Sequence, residues 1–162
     1  MRSKSLPALA AVLALAACSP GGDDDESTPT TTSTEGCALA ADVVAEAVGH
    51  EVVVEREPSG RPSCAYLHEG GSRVEVSRRS LADEGFAAVL AEVEADAGPT
   101  VALGRDAVDG AERGWIAVVG RAVQVGAASG EDLVLVAVAD PDLDAEAARE
   151  VAEALAGEAL DG

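Results

Sequence analysis

The chain has 162 residues, 48% of them apolar and only 2% aromatic, and carries a formal charge of −19. That length suits one folded domain, and the charge repels phosphate backbones and anionic headgroups, which argues against nucleic-acid binding. Lys, Ile, Phe and Tyr occur once each and Asn not at all. All five use AT-rich codons, so the pattern points to a GC-rich genome and a core of Val, Ala and Leu with few large anchors.

The amino terminus reads as an export signal. Arg2 and Lys4 give a positive start, and the 12 residues Leu6–Ala17 follow as an apolar run. At about 1.5 Å per residue, this run is too short for a hydrocarbon core of about 30 Å, but it fits a secretory core segment. It ends in Leu15-Ala16-Ala17-Cys18, the form of a bacterial lipobox. Small residues fit the peptidase cleft, and the Cys18 thiol is the nucleophile that accepts a diacylglyceryl group. Residues 1–17 are therefore expected to be a lipoprotein signal peptide. Cys18 is the expected lipidation site, and the bilayer a partner through that acylated cysteine; an ordinary signal peptide is the alternative. Two acyl chains suffice for stable anchoring, which places the mature chain on the extracytoplasmic face of the cell membrane.

Residues 19–35, SPGGDDDESTPTTTSTE, hold almost nothing apolar. Such a stretch cannot bury enough surface to fold, so residues 18–35 are expected to be a disordered tether with a reach of roughly 20–25 Å. The run Asp23–Glu26 lacks the spaced ligands and turn glycine of a calcium loop. The Thr-rich stretch 28–34 offers hydroxyls for glycosylation.

Residues 36–162 read as a single domain. Leu39, Val43 and Ala47 fall at helical spacing before Gly49. Three strands are expected next, over Glu51–Arg56, Ser63–His68 and Ser72–Arg78, the last two joined through Gly70-Gly71. Ser80 with Asp83 gives a helix start, and Phe86, Leu90, Val93 and Ala97 form a stripe stopped by Gly98-Pro99. Trp115–Val119 and Ala122–Ala127 flank a two-residue turn, Gly120-Arg121. The wholly apolar Leu133–Ala139 suggests a strand covered on both faces. Asp140-Pro141 is the expected start of a last helix, with Asp140 as N-cap. The fold class is therefore α+β, an antiparallel sheet of about five to six strands with about three helices packed mainly on one face.

With Cys18 assigned to lipid, Cys37 and Cys64 remain. Two cysteines in an exported domain are expected to form a disulfide, closing a loop of roughly 28 residues worth about 3–4 kcal/mol. A redox or nucleophilic thiol is the alternative, although no Cys-X-X-Cys occurs. The segment Gly36-Cys37-Ala38-Leu39, the helix ending Val48-Gly49, and Cys64-Ala65-Tyr66 together resemble an actinobacterial lipoprotein family with a domain of unknown function. In that family a cysteine before the first helix pairs with one beside an aromatic residue in a strand. The resemblance implies a cell-envelope location and carries over no catalytic residues.

No catalytic, cofactor or metal motif is legible. His50 and His68 have no ligand spacing between them, and Asp140–Glu146 lacks the turn glycine and closing glutamate of a calcium loop. The functional expectation is a non-catalytic binding or accessory module of the envelope, engaging an unidentified protein or small ligand. Two alternatives stay open, a hydrolase or redox accessory with a fold-assembled site and a structural envelope component. A pocket at Trp115 would favour a small ligand, a flat apolar patch a protein partner, and a cleft joining His50 or His68 to acids an enzyme.

Overall fold

The computed structural model describes residues 36–56, 63–82, 85–97, 102–104, 108 and 110–162; Cys18 and the expected tether lie outside them. Helix α1 spans Ala41–Val48 and ends on Gly49, whose φ of +80° lets its N–H reach the Ala45 carbonyl at 2.9 Å. Val44 and Val48 are the buried stripe that makes this short helix pay its way. Strands β1 (Val53–Arg56), β2 (Ser63–Leu67) and β3 (Arg73–Ser80) follow, then helix α2 (Phe86–Ala97). Strands β4 (Ala102–Gly104), β5 (Arg113–Val119), β6 (Ala122–Ser129) and β7 (Asp132–Ala139) come next, and helix α3 (Ala145–Asp161) closes the chain.

All seven strands form one sheet in the order β1-β2-β3-β7-β6-β5-β4, and every neighbouring pair is antiparallel. The α+β class and the antiparallel sheet thus stand. The strand beyond the expected six is β4, three residues long at one edge.

Residue alternation along the strands sorts the core into two layers. Val134, Val136 and Val138 of β7 join Val74, Val76, Val123 and Val125 beneath α1 and α3. Leu133 and Leu135 point the other way and meet Phe86, Val89, Leu90 and Val93 of α2. Two helices therefore share one face, while the third covers part of the opposite face. That division explains why β7 is apolar from Leu133 to Ala139.

Two helix starts differ from the sequence reading. Ser80 ends β3, and its hydroxyl accepts from the Ala82 N–H at 3.2 Å, making a turn. Gly85 at φ +72° then precedes the helix that begins at Phe86. In α3 the N-cap is Asp144, whose carboxylate accepts from Glu146 and Ala147 at 3.1 and 2.9 Å. Asp140, four residues earlier, turns inward instead.

Cys37 and Cys64 are bonded, with Cα atoms 5.7 Å apart. Beside them the buried Tyr66 hydroxyl donates to the Leu39 carbonyl at 2.6 Å. Desolvation raises the pKa of this phenol, and its backbone hydrogen bond offsets part of that rise. The segment entering α1 is thus fixed to β2 covalently and by a hydrogen bond. Reduction of the bridge, or a Cys37→Ser/Cys64→Ser variant, is expected to lower unfolding free energy by about 3–4 kcal/mol in urea titrations.

Trp115 is fully buried and lies across Gly126 on the neighbouring strand. A Cβ on Gly126 would sit 2.2 Å from the indole Nε1, so the glycine makes room for the ring. Gly126→Ala should cost about 1–3 kcal/mol by overpacking. Combining it with Trp115→Leu should recover part of that loss in a double-mutant cycle, and strict additivity would refute the contact.

Candidate functional site

One polar cluster forms where α1, the β2–β3 turn and the end of β7 meet. Gly49 ends α1 and sets His50 at the entrance to the sheet. Across the turn, the His68 N–H donates to Ser72 O at 3.1 Å and the Gly71 N–H to His68 O at 3.0 Å. The turn is closed by Gly71 at φ +88°. The imidazole of His68 has Nδ1 2.9 Å from the Glu51 carbonyl; a carbonyl can only accept, so Nδ1 carries the proton. The two rings lie 4.2 Å apart at a 36° tilt.

His50 Nε2 is 3.6 Å from Asp140 Oδ2, and the Asp140 side chain is only 1% exposed. That distance is too long for a hydrogen bond but short enough for ion pairing when the ring is protonated. Asp140 Oδ1 accepts from the Asp142 N–H at 2.8 Å. Desolvation pushes the Asp140 pKa up. It is outweighed by Ser72, the Asp142 and Leu143 backbone and the charge of His50, and the net shift is downward. Ser72 Oγ is buried beside this carboxylate, and its hydroxyl proton can rotate toward that neighbour.

The loop that carries Asp140 is held from outside as well. Arg121 donates from Nε and Nη2 to the Leu143 carbonyl at 3.2 and 2.9 Å. The cluster therefore joins residues far apart in sequence at one end of the domain. His50 and Asp140 make a base and an orienting acid, the beginnings of a catalytic arrangement. The hydroxyl beside them belongs to Ser72, which is 4% exposed and lies against the carboxylate. A buried hydroxyl on that side cannot be reached by a substrate, and the arrangement is better suited to pinning the sheet end. Among the described residues no group of three His, Cys, Asp or Glu side chains could hold a metal ion.

A second feature is a surface. Strand register places Leu67, Arg73, Ala139 and Ala122 in one row on the face that α2 occupies, with Ala65, Glu75, Ala137, Gln124 and Ala117 in the next. None of these rows lies under α1 or α3. Only Ala117 touches the α2 cluster. What remains is a shallow trough of about 270 Å³ floored by alanines, with the Arg73–Glu75 ion pair at its side. Trp115, by contrast, is closed over by Phe86 and Leu90 and belongs to the core.

Sequence spacing links neither His50 nor His68 to the other, and Asp140 reads there as a helix cap. Ser72 carried no signal at all. Among the described residues no helix is long and apolar enough to cross a membrane. Comparison with known protein families, with curated protein sequences and with solved structures returns no match.

Because the folded pKa of Asp140 lies below its unfolded value near 3.8, its ionisation stabilises the fold above about pH 4. That contribution is lost as pH falls through the lower, folded pKa. Asp140→Asn should remove about 2 kcal/mol at pH 7 and flatten the stability profile below pH 4. An unchanged acid limb would show that the carboxylate carries no such linkage.

Proposed function

We propose that the chain is a lipid-anchored, extracytoplasmic binding module of a bacterial cell envelope, held through Cys18 and acting by contact with a partner protein. Three features support this reading. The lipobox ending at Cys18 supplies the anchor. The Cys37–Cys64 disulfide suits the oxidising side of a membrane. The resemblance to an actinobacterial lipoprotein family agrees with both.

The observation that carries the binding role is the half-bare sheet. One face is filled by α1 and α3, but on the other a strip of small apolar side chains beyond α2 stays open, with Ala122 and Ala137 part-exposed and Ala139 exposed, bounded by Arg73, Glu75 and Gln124. A band this flat favours a protein surface over a small molecule, which would require a deeper concavity. The His50–Asp140 pair is the one observation favouring the second reading, a hydrolase or other envelope enzyme. In that case His50→Gln would abolish turnover of a generic ester or amide substrate while leaving the fold intact.

Two measurements test the leading reading. Cys18→Ala should shift the protein from the membrane fraction to uncleaved precursor or released protein; mature protein that still sediments with membranes would sink the anchor. A photo-crosslinking residue at Gln124 should capture one recurrent partner in intact cells, while the same residue at Glu150 on α3 should not. Equal capture from both sites would refute the bare face as the contact surface.

A further inference from the structure

The sheet ends at β1, its edge strand, and that edge has features the trough lacks. β1 pairs only with β2, so the outward backbone groups of Val53–Arg56 meet no strand among the described residues. Sheet edges of this kind are templates for an added strand unless they are blunted. Val53 faces outward here at 59% exposure, and it is the exposed large apolar side chain among the described residues. Next to it a cavity of about 300 Å³ is lined by Glu51, Val52, Val53, Leu67, His68 and Glu69.

The chemistry of that cavity is divided. Val52, Val53 and Leu67 supply an apolar wall, and His68 is held in place by its bond to the Glu51 carbonyl. Both carboxylates at the rim, Glu51 and Glu69, are exposed, and so is Glu55 further along the strand. Arg56, the nearest cation on β1, is turned back against Gly36, where an added Cβ would stand 3.2 Å from its Nη2. It therefore leaves the cavity end of the strand to the acids. An apolar wall with an acidic rim suits a long cationic side chain, whose methylenes pack while the head stays wet.

We propose that β1 is a strand-addition site for an extended segment of a basic partner protein, with a Lys or Arg side chain of that segment seated between Glu51 and Glu69. The proposal rests on the binding-module reading and gives it a partner chemistry. Main-chain pairing along Val53–Arg56 supplies attachment, and the cavity supplies selectivity. A second copy fits less well, because it would bring Glu51, Glu55 and Glu69 of two strongly acidic chains together.

The test uses the full chain in detergent micelles and an acetylated octapeptide of alternating Val and Lys, with Glu-for-Lys and alternately N-methylated versions as controls. The lysine peptide should bind and slow amide exchange at Val53–Arg56. N-methylation should weaken binding at least tenfold, since it removes main-chain donors without touching charge. Glu51→Lys combined with Glu69→Lys should weaken the lysine peptide at least tenfold and admit the glutamate peptide. Glu150→Lys with Glu158→Lys, on the outer side of α3, should change binding less than twofold. Both variants alter exposed side chains, and an unshifted Trp115 emission would confirm an intact fold.

Equal binding of the N-methylated peptide, or equal loss with the α3 variant, would overturn the proposal in favour of diffuse electrostatics. Absence of binding would overturn it outright. A concentration-dependent dimer abolished by Val53→Lys would assign the edge to a second copy instead. Partner capture from Gln124 that persists in the Glu51→Lys/Glu69→Lys variant would remove the β1 site and leave the binding module standing. Peptide binding at β1 with no capture from Gln124 would keep the β1 site and remove the face around Gln124 as the contact surface.

Discussion

The fold depends on the pairing of β3 with β7. Eight residue pairs, from Arg73 opposite Ala139 to Ser80 opposite Asp132, join strands from opposite ends of the domain's sequence. Arg78 and Asp132, 54 residues apart, meet at 3.3 Å across this seam. On one side lies the meander β1-β2-β3 and on the other β4-β5-β6-β7. Parting them would expose Val74 and Val76 on one side and Val134 and Val136 on the other. Once the seam closes, Val74, Val76, Val134 and Val136 form one continuous floor for α1 and α3. Closing so long a loop costs chain entropy before its contacts form, so this pairing gives the sheet a high contact order.

Much of this was legible in the sequence, for reasons that can be named. Strands announced themselves where one face is wet and the other dry, as in β3, where Val74 and Val76 alternate with Arg73, Glu75 and Ser77. The unbroken apolar run of β7 told of cover on both faces, and the structure supplies a helix on each. Helix boundaries were harder. Ser80-x-x-Asp83 has the form of a cap, yet Ser80 is drawn into the long ladder with β7, and tertiary pairing overrides the local signal. Asp140-Pro141 misled in the same way, since the capping role moved to Asp144 when Asp140 found a buried partner.

The polar end of the sheet was illegible because its contacts are all long-range. His50 follows one helix, Ser72 precedes one strand and Asp140 follows another, and no spacing rule links such positions. Composition does explain why the cluster is needed. With one Trp, one Tyr and one Phe in the chain, few large side chains can fix how elements meet. A buried carboxylate with several donors fixes a geometry that small aliphatics leave loose. The Arg121 fork on Leu143 and the Tyr66 bond to Leu39 serve the same end elsewhere, each joining a loop to the sheet by a directed contact.

The disulfide has a mechanical consequence. Cys37 precedes α1, while Cys64 lies in β2, a strand hydrogen-bonded on both sides. Any tension arriving along the chain from the amino-terminal side passes through the sulfur bridge into β2. The 27-residue detour through α1 and β1 is then out of the force path. A tug from that direction therefore cannot peel α1 from the core, or β1 from its edge, as the first steps of a progressive unravelling. It meets a strand flanked by two ladders, so the outermost strand stays unloaded while the protein is being pulled.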